Sequence, residues 1–328
     1  MPGPTRSAGS PNVPSRTSTR SSRSRCTHTW RPASPPSGTW ATGAAPYSGG
    51  GTGPNATTCR RCWGRAHRSP ASADTAGRWG GEASGVDGIR EAVRLRAAAD
   101  ADLIKVMASG GVFTPGTDTT RPQFTDRELA AAVNRAHELG LPVTAHAHAL
   151  NAVEQALHVG VDGIEHCTCV TATGAHVPDR LADRLAASGV AVCATLGTDP
   201  GVVTPPEVVA MAAAAGLSEA ALRDGVATLH RAGVRLVAGS DAGLGPAKPH
   251  GVLPETVVEY VACGIPATAA LAAATSVGAE VCGLGRRRGR VRPGFDADLL
   301  VVDGDPTSDI TALRRPLAVY RAGHPVRG

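Results

Sequence analysis

Residues 142–166 read PVTAHAHALNAVEQALHVGVDGIEH, and this stretch decides the fold class. Its first seven residues predict a strand, residues 151–158 predict a helix, and residues 163–166 predict a second strand. Parallel strands need a crossover connection of this kind, usually a helix. The stretch therefore predicts one unit of a parallel sheet covered by helices.

The same alternation of helix and strand continues on both sides of this unit. Toward the N-terminus, Thr125 and Glu128 form a capping box that begins a helix, and Gly140 ends that helix. The other expected helices are 86–99, 178–187, two between 196 and 235, 252–262 and 267–281, and the other expected strands are 102–108, 190–196 and 235–240. This order predicts an α/β fold with a parallel sheet.

The end of the chain has a different pattern. Residues 289–302 and 317–326 contain short apolar runs joined by Gly, Pro and Asp turns, and no helical pattern separates them. We therefore expect a small β-subdomain over residues 286–328.

Residues 1–84 differ in composition from the rest of the chain. They contain no Leu, Ile, Phe or Lys, and eleven Arg stand against Asp74 and Glu82. Such a segment has almost nothing to bury, which indicates an aberrant or disordered stretch. Shifted reading of GC-rich DNA yields Arg, Ser, Pro, Gly and Trp in excess, so we expect a frameshift here, with poor folding and little activity of the chain as written. A genuine basic tail that binds nucleic acid or a partner is the alternative.

Several classes of protein are disfavoured by composition. No run of about 18 apolar residues indicates a transmembrane helix, and no apolar stretch near Met1 indicates a signal peptide. The eight cysteines are scattered, and the single pair Cys59 and Cys62 is weak evidence for zinc, which needs four ligands. A reducing, cytoplasmic setting without a membrane partner is the expectation.

Four residues of metal-ligand type stand at the ends of predicted strands: Lys105, His146, His166 and Asp241. Because the carboxyl ends of the strands in a parallel barrel converge on one face, these side chains are expected to lie together. Imidazole, carboxylate and a modified lysine all suit Zn²⁺ or a similar divalent ion. His148 shares the face of His146, since strand side chains repeat every two residues, and is expected to contact substrate.

Lys105 is the sharpest of these signals. The chain uses 31 Arg and only two Lys, Lys105 and Lys248, yet a Lys stands in the apolar strand LIKVM. Burial favours the neutral amine, which reacts with CO₂ to give a carbamate, an anionic ligand that Arg cannot form. The alternative is a side chain whose tip reaches solvent at the strand end.

These motifs in order resemble those of the amidohydrolase superfamily, in the branch of imidazolonepropionase-like enzymes and Xaa-Pro dipeptidases. The matching runs are IKVMASGG at 104–111, AHAH at 145–148, IEH at 164–166, GSDAG at 239–243, PHG at 249–251 with Glu255, and the ending GRVRPGFDADLLVVDGDP. The resemblance implies a (β/α)8 barrel over residues 85–285, incomplete at its N-terminus, that hydrolyses amide or peptide C–N bonds of small substrates such as dipeptides, N-acyl amino acids or cyclic amides.

The resemblance also implies roles for particular residues. Lys105 would be the carboxylated ligand that bridges two divalent ions, with zinc favoured by the family's chemistry, and His146 and His166 would bind the second ion. Asp241 would be both a ligand and the catalytic proton shuttle, and His250 would line the substrate pocket.

The chain departs from the family pattern in one respect. The family opens its barrel with a His-x-His pair, and no such pair precedes His146; the histidines of the N-terminal segment, His28 and His67, do not lie on apolar strands. The departure predicts that the first metal site is compromised. A non-catalytic barrel with a basic tail is therefore the alternative function, and a homo-oligomer is compatible with either.

Overall fold

The computed structural model describes residues 82–114, 116–243 and 245–326. The predictions for residues 1–81, including the frameshift and the Cys59 and Cys62 pair, lie outside these residues. The described chain forms an α/β fold with a mainly parallel sheet, helices packed against it, and a separate antiparallel sheet at the C-terminal end.

The main sheet has six strands, five of them parallel. Its order is β1-β2-β3-β5-β6, and β4 pairs antiparallel with β3. The bounds are β1 Ile104–Met107, β2 Val143–Ala149, β3 Gly163–Thr171, β4 Gly174–Ala175, β5 Ala191–Cys193 and β6 Arg235–Leu236. Each parallel strand pairs with the next parallel strand along the chain, which confirms the predicted βαβ order. Within the described residues, β1 and β6 are the edges of an open sheet.

Nine α-helices connect or cover these strands in the described part of the chain. Their bounds are α1 Gly85–Ala98, α2 Asp126–Glu138, α3 Leu150–Val159, α4 Asp179–Ser188, α5 Pro206–Ala214, α6 Glu219–Arg231, α7 Leu253–Ala262, α8 Ala267–Ala274 and α9 Ser276–Val281. None of the helices in these described ranges is long and apolar enough to cross a membrane.

The start of α2 confirms the capping box. The Thr125 side chain accepts the Glu128 backbone N–H at 3.3 Å, and the Glu128 carboxylate accepts the Thr125 backbone N–H at 3.0 Å. Two orphan donors of the first turn are thereby satisfied. Leu129, Val133 and Ala136 are buried on one face of α2.

The single helix expected over residues 267–281 was wrong. The structure divides it at Thr275, whose backbone leaves the helical region at φ −124° and ψ −89°. The Thr275 hydroxyl donates to the Leu271 carbonyl at 2.7 Å, a local bond of the type that bends helices.

Two strands are shorter than the apolar pattern predicted. β5 ends at Cys193 rather than 196, and β6 ends at Leu236 rather than 240. After Val237 N–H donates to Val192 O, the next amide, that of Ala238, donates to Ala273 in α8 instead of to the sheet. The two strands therefore separate early, and the residues after them form loops at the carboxyl edge of the sheet.

The C-terminal residues form an antiparallel sheet, which confirms β structure there, with shorter strands than predicted. It contains β7 Leu299–Val302, β8 Pro316–Arg321 and β9 His324–Pro325, all antiparallel, with a 3-10 helix at Ile310–Arg314. Residues 289–298 are turns rather than the expected strand, because Asp296 pairs with Arg287 at 2.7 Å and with Arg288 at 3.0 Å and so holds a bend.

Candidate metal centre

Three histidines meet at the carboxyl end of β2 and in the middle of β3, where the regular pairing of the two strands ends. His146 and His148 lie on β2, His166 lies on β3, and one nitrogen of each ring lies within 4.8 Å of the others. The ring centroids are separated by 4.7 Å for His146 and His148, 4.6 Å for His146 and His166, and 4.5 Å for His148 and His166. The structure thus brings together two of the predicted ligands and the predicted substrate contact.

The backbone is distorted where His166 joins this cluster. The parallel register pairs His146 with Glu165 and Ala147 with His166, so in a regular strand His166 would point to the face opposite His146. Instead His166 has a φ of 69°, in the left-handed region that non-glycine residues rarely adopt. This rotation brings its ring to the His146 side of the sheet.

Left-handed residues recur along this edge. Besides His166, positive φ values occur at Cys167 (54°), Cys169 (52°), Thr195 (55°) and Asp241 (53°). Each such residue costs on the order of 1–3 kcal/mol and persists only where its surroundings impose it. These positive φ values occur within β3 and in the loops that follow β5 and β6, on the side of the sheet where the three histidines meet.

The hydrogen-bond partners of His148 and His146 fix which ring nitrogen carries the proton. Thr168 Oγ1 donates to the His148 carbonyl at 3.3 Å, so it accepts from His148 Nδ1 at 2.9 Å, and the Nε2 of His148 keeps its lone pair. His146 Nε2 lies 3.1 Å from the Gly110 carbonyl, which can only accept, so Nδ1 is the basic nitrogen of that ring. His166 Nδ1 lies 2.8 Å from Thr195 Oγ1.

Burial keeps two of these rings neutral. It lowers the pKa of His148 to about 4, and it lowers the pKa of His166 well below the usual value, with smaller contributions from the neighbouring histidines, Lys105 and Lys248. Neutral imidazole is the form that binds a metal. Three close imidazoles, oriented by hydroxyl and carbonyl partners, fit a divalent ion such as Zn²⁺.

Lys105 lies next to this cluster on β1. It pairs with Thr144, and two residues further on Met107 pairs with His146, so Lys105 and His146 belong to the same face. The charge of Lys105 also contributes to the lowered pKa of His166.

A polar layer that sequence reasoning missed lies on the same face. Thr144 donates to the Glu165 carboxylate at 2.8 Å, and burial together with Glu165 raises the pKa of the Cys193 thiol well above its usual value. The motif IEH gave no signal for this layer, because strand alternation places Glu165 on the face opposite a ligand at His166.

Asp241 and His250 lie on the loop that follows β6. Asp241 comes five residues after the last strand residue, Leu236, and its carboxylate opposes the lowering of the Lys248 pKa that burial causes. His250 is exposed and lies against Gly243, whose added Cβ would meet the ring at 3.2 Å. The three-histidine cluster contains neither residue.

Two clefts lie behind this edge. One of about 380 Å³, lined by His176, Asp224 and Arg231 among others, separates β4 from α6 and does not reach the three histidines. A second, with room for about one water, is lined by His166 and Thr168 and shares Val177 and Gly225 with the first. The larger cleft contains none of the three clustered histidines. The candidate site is therefore the histidine cluster, where groups of metal-ligand type lie together.

The fold and the cluster define an α/β protein with a candidate metal centre at the carboxyl edge of its sheet. The chain belongs to the amidohydrolase family, whose model matches residues 50–326. It is 27% identical over 250 residues to the ochratoxinase of Aspergillus niger, covering 72% of this chain and 48% of that protein. The chain thus spans about half the length of that relative.

Solved structures give the same result. A Xaa-Pro dipeptidase with bound methionine in its active site aligns with a TM-score of 0.65 and 28% identity, covering 76% of this chain and 60% of that one. A prolidase complexed with N-methylphosphonate-L-proline aligns with a TM-score of 0.64 and 27% identity, covering 81% and 68%. These likenesses agree with the family assignment.

Proposed function

We propose that this protein is a metal-dependent hydrolase that cleaves amide or peptide C–N bonds of small substrates on a (β/α)8 barrel. The observation that carries the proposal is the cluster of His146, His148 and His166, with ligand nitrogens within 4.8 Å of one another and with lowered pKa values for His148 and His166. A divalent ion held there, with zinc preferred by the donor set, supplies Lewis acidity toward water and a substrate carbonyl.

The side chains around the cluster divide the remaining work. His146 and His166 hold the ion, and His148, whose Nε2 keeps its lone pair in the same cluster, serves as a third donor or as the substrate contact. Asp241 accepts a proton on a carboxylate oxygen and passes it to the leaving nitrogen. His250, on the exposed loop beyond Asp241, contacts the distal part of the substrate.

The names of the relatives suggest the substrate class. Ochratoxinase, Xaa-Pro dipeptidase and prolidase all appear among the similar proteins. We therefore expect hydrolysis of Xaa-Pro dipeptides or N-acyl amino acids, with cyclic amides as the next class to test. The full-length chain is assayed on this panel before and after removal of metal with a chelator, and again after Zn²⁺ is added. Activity that survives metal removal would contradict the proposal.

Carboxylation of Lys105 extends the proposal. Lys105→Arg retains the charge but cannot form a carbamate, so it is expected to be as damaging to hydrolysis as Lys105→Ala. The direct measurement is a ¹³C NMR spectrum of the chain supplied with ¹³C-bicarbonate, in which a carbamate signal is present and is lost in Lys105→Arg. Full activity of the Arg variant would rule out the bridging role.

A further inference from the structure

Lys248 connects two loops at the carboxyl edge of the sheet. Its Nζ donates to the Thr195 carbonyl at 2.6 Å and to the Ser240 carbonyl at 3.0 Å. Thr195 follows β5, and Ser240 follows β6 and directly precedes Asp241. One ammonium therefore joins the ends of two neighbouring strands.

The connection lies where the sheet no longer joins those strands. The last bond between them runs from Val237 N to Val192 O, and the Ala238 amide turns away to Ala273. Beyond that point no backbone hydrogen bond of the sheet joins the described residues of the two loops, and the Lys248 side chain joins the Thr195 and Ser240 carbonyls instead.

Both loops contain residues in the left-handed region. Thr195 has a φ of 55° and Asp241 a φ of 53°. Each conformation is unfavourable for a residue with a Cβ and needs contacts to hold it. Thr195 in turn bonds His166 through its hydroxyl, Oγ1 to Nδ1 at 2.8 Å. The ammonium thus lies one residue from Asp241 and one hydrogen bond from the residue that orients His166.

We propose that Lys248 is a positioning residue that holds Thr195 and the Ser240–Asp241 peptide in their strained conformations, and through them sets the orientation of His166 and Asp241. Its relevance to metal binding rests on the proposed function. Its hydrogen-bonding role does not, and separate measurements test the two.

The choice of Lys supports this role. The chain has 33 Lys and Arg residues, and only Lys105 and Lys248 are Lys. A compact ammonium can direct its three donors to carbonyls that lie in different directions, whereas the planar guanidinium of Arg presents its donors in a fixed fork. We therefore expect Arg to replace Lys248 poorly.

The first test uses the unsubstituted full-length chain. Labelling with ¹⁵N-lysine gives only two side-chain signals, from Lys105 and Lys248. The proposal predicts an ammonium signal that persists at pH 7 because its protons exchange slowly, and that disappears in Lys248→Met. Rapid exchange of both lysine signals with water would overturn it, whether or not the variants fold.

The second test compares three variants by hydrogen exchange. Lys248→Met removes the donors and keeps an apolar stem, Lys248→Arg keeps the charge, and Arg235→Met is the matched control. Arg235 is the first residue of β6, at the opposite end from the Ser240 loop, and it pairs with Glu280 at 3.2 Å. Both Lys248 variants are expected to raise exchange in residues 194–200 and 238–243 about tenfold, as local opening there becomes easier. The control leaves both segments unchanged.

The third test measures the affinity for Co²⁺ from the visible absorption spectrum of the protein during a Co²⁺ titration. Lys248→Met is expected to weaken binding about tenfold and to alter the spectrum, as loss of support for metal ligands does. If the unsubstituted chain binds no Co²⁺, the proposed function fails while the lysine signal and the exchange data still decide the role of Lys248. Unchanged exchange and unchanged Co²⁺ affinity in Lys248→Met would overturn that role.

Discussion

The carboxyl edge of the parallel sheet and the C-terminal antiparallel sheet differ in backbone conformation and in the burial of their polar side chains. The first contains buried histidines and five non-glycine residues with positive φ, in β3 and in the loops after β5 and β6. In the second, β7, β8 and β9 are antiparallel, and a single described non-glycine residue has a positive φ, Ala322 at 49° in the turn between β8 and β9. The surrounding charges form ion pairs such as Arg315 with Asp309 at 3.1 Å, both about half exposed.

The difference shows where this molecule accepts strain. Exposed ion pairs contribute little to stability and tolerate change, and the left-handed Ala322 of the C-terminal sheet lies in an exposed turn. Left-handed backbone and buried imidazoles are unfavourable in isolation, and they occur together at the edge where metal-ligand groups meet. Substitutions at the strained edge should therefore have larger effects than substitutions in the C-terminal sheet.

The largest effect is expected at His166. His166→Ala removes a ring nitrogen of the cluster, so Co²⁺ affinity should fall by more than about 100-fold, the upper range for residues that only support a ligand. His137→Ala is the control, since His137 is a surface residue paired with Asp162 at 2.8 Å. Affinity in His166→Ala equal to that of the control would remove His166 from the site.

The next effect concerns pH and the stability of the metal-free chain. Burial lowers the pKa of His148 to about 4, so the unfolded chain takes up this proton first as pH falls. The free energy of unfolding is therefore highest above about pH 6.5, and it declines toward pH 4. The contribution of His148 to this decline is about 3 kcal/mol. Denaturant unfolding at several pH values measures the decline. His148→Gln, which cannot titrate, should reduce it, and an undiminished decline in that variant would contradict the assignment.

A smaller effect separates two glycines. At Gly197 φ is +93° and an added Cβ would lie 2.5 Å from the Thr256 backbone nitrogen, whereas at Gly323 φ is +79° and the nearest atom is at 3.9 Å. Gly197→Ala should cost about 3 kcal/mol from collision and strain, and Gly323→Ala about 1 kcal/mol from strain alone. Thermal unfolding compares the two, and equal losses would show that the edge is no more constrained than the C-terminal sheet.

Much of the fold was predictable from local pattern. The capping box at Thr125 and Glu128 and the order of strands and helices follow from short-range rules, and the structure confirms both. The ends of β5 and β6 were not predictable, because the residues after them are apolar and their amides bond to α8 and to loops far along the chain. The break at Thr275 depends on one side-chain bond that competes with the helix.

The candidate site was predictable in residue type but not in geometry. His146 and His166 stood out as polar residues at strand ends, yet the register alone would separate them onto opposite faces. Only the left-handed turn at His166 brings the rings within 4.6 Å. The roles of Glu165 and Lys248 depend on contacts between strands and loops distant in sequence, so no spacing rule reveals them.

X-ray absorption of the zinc-loaded full-length chain tests the central claim, that the histidine cluster binds a divalent metal. The claim predicts a first shell of nitrogen and oxygen at about 2.0–2.1 Å with the multiple-scattering pattern of imidazole, and loss of that pattern in His146→Ala/His166→Ala. A first shell dominated by sulfur at about 2.3 Å, which would point to cysteines such as Cys59 and Cys62, or a shell without imidazole, would contradict it.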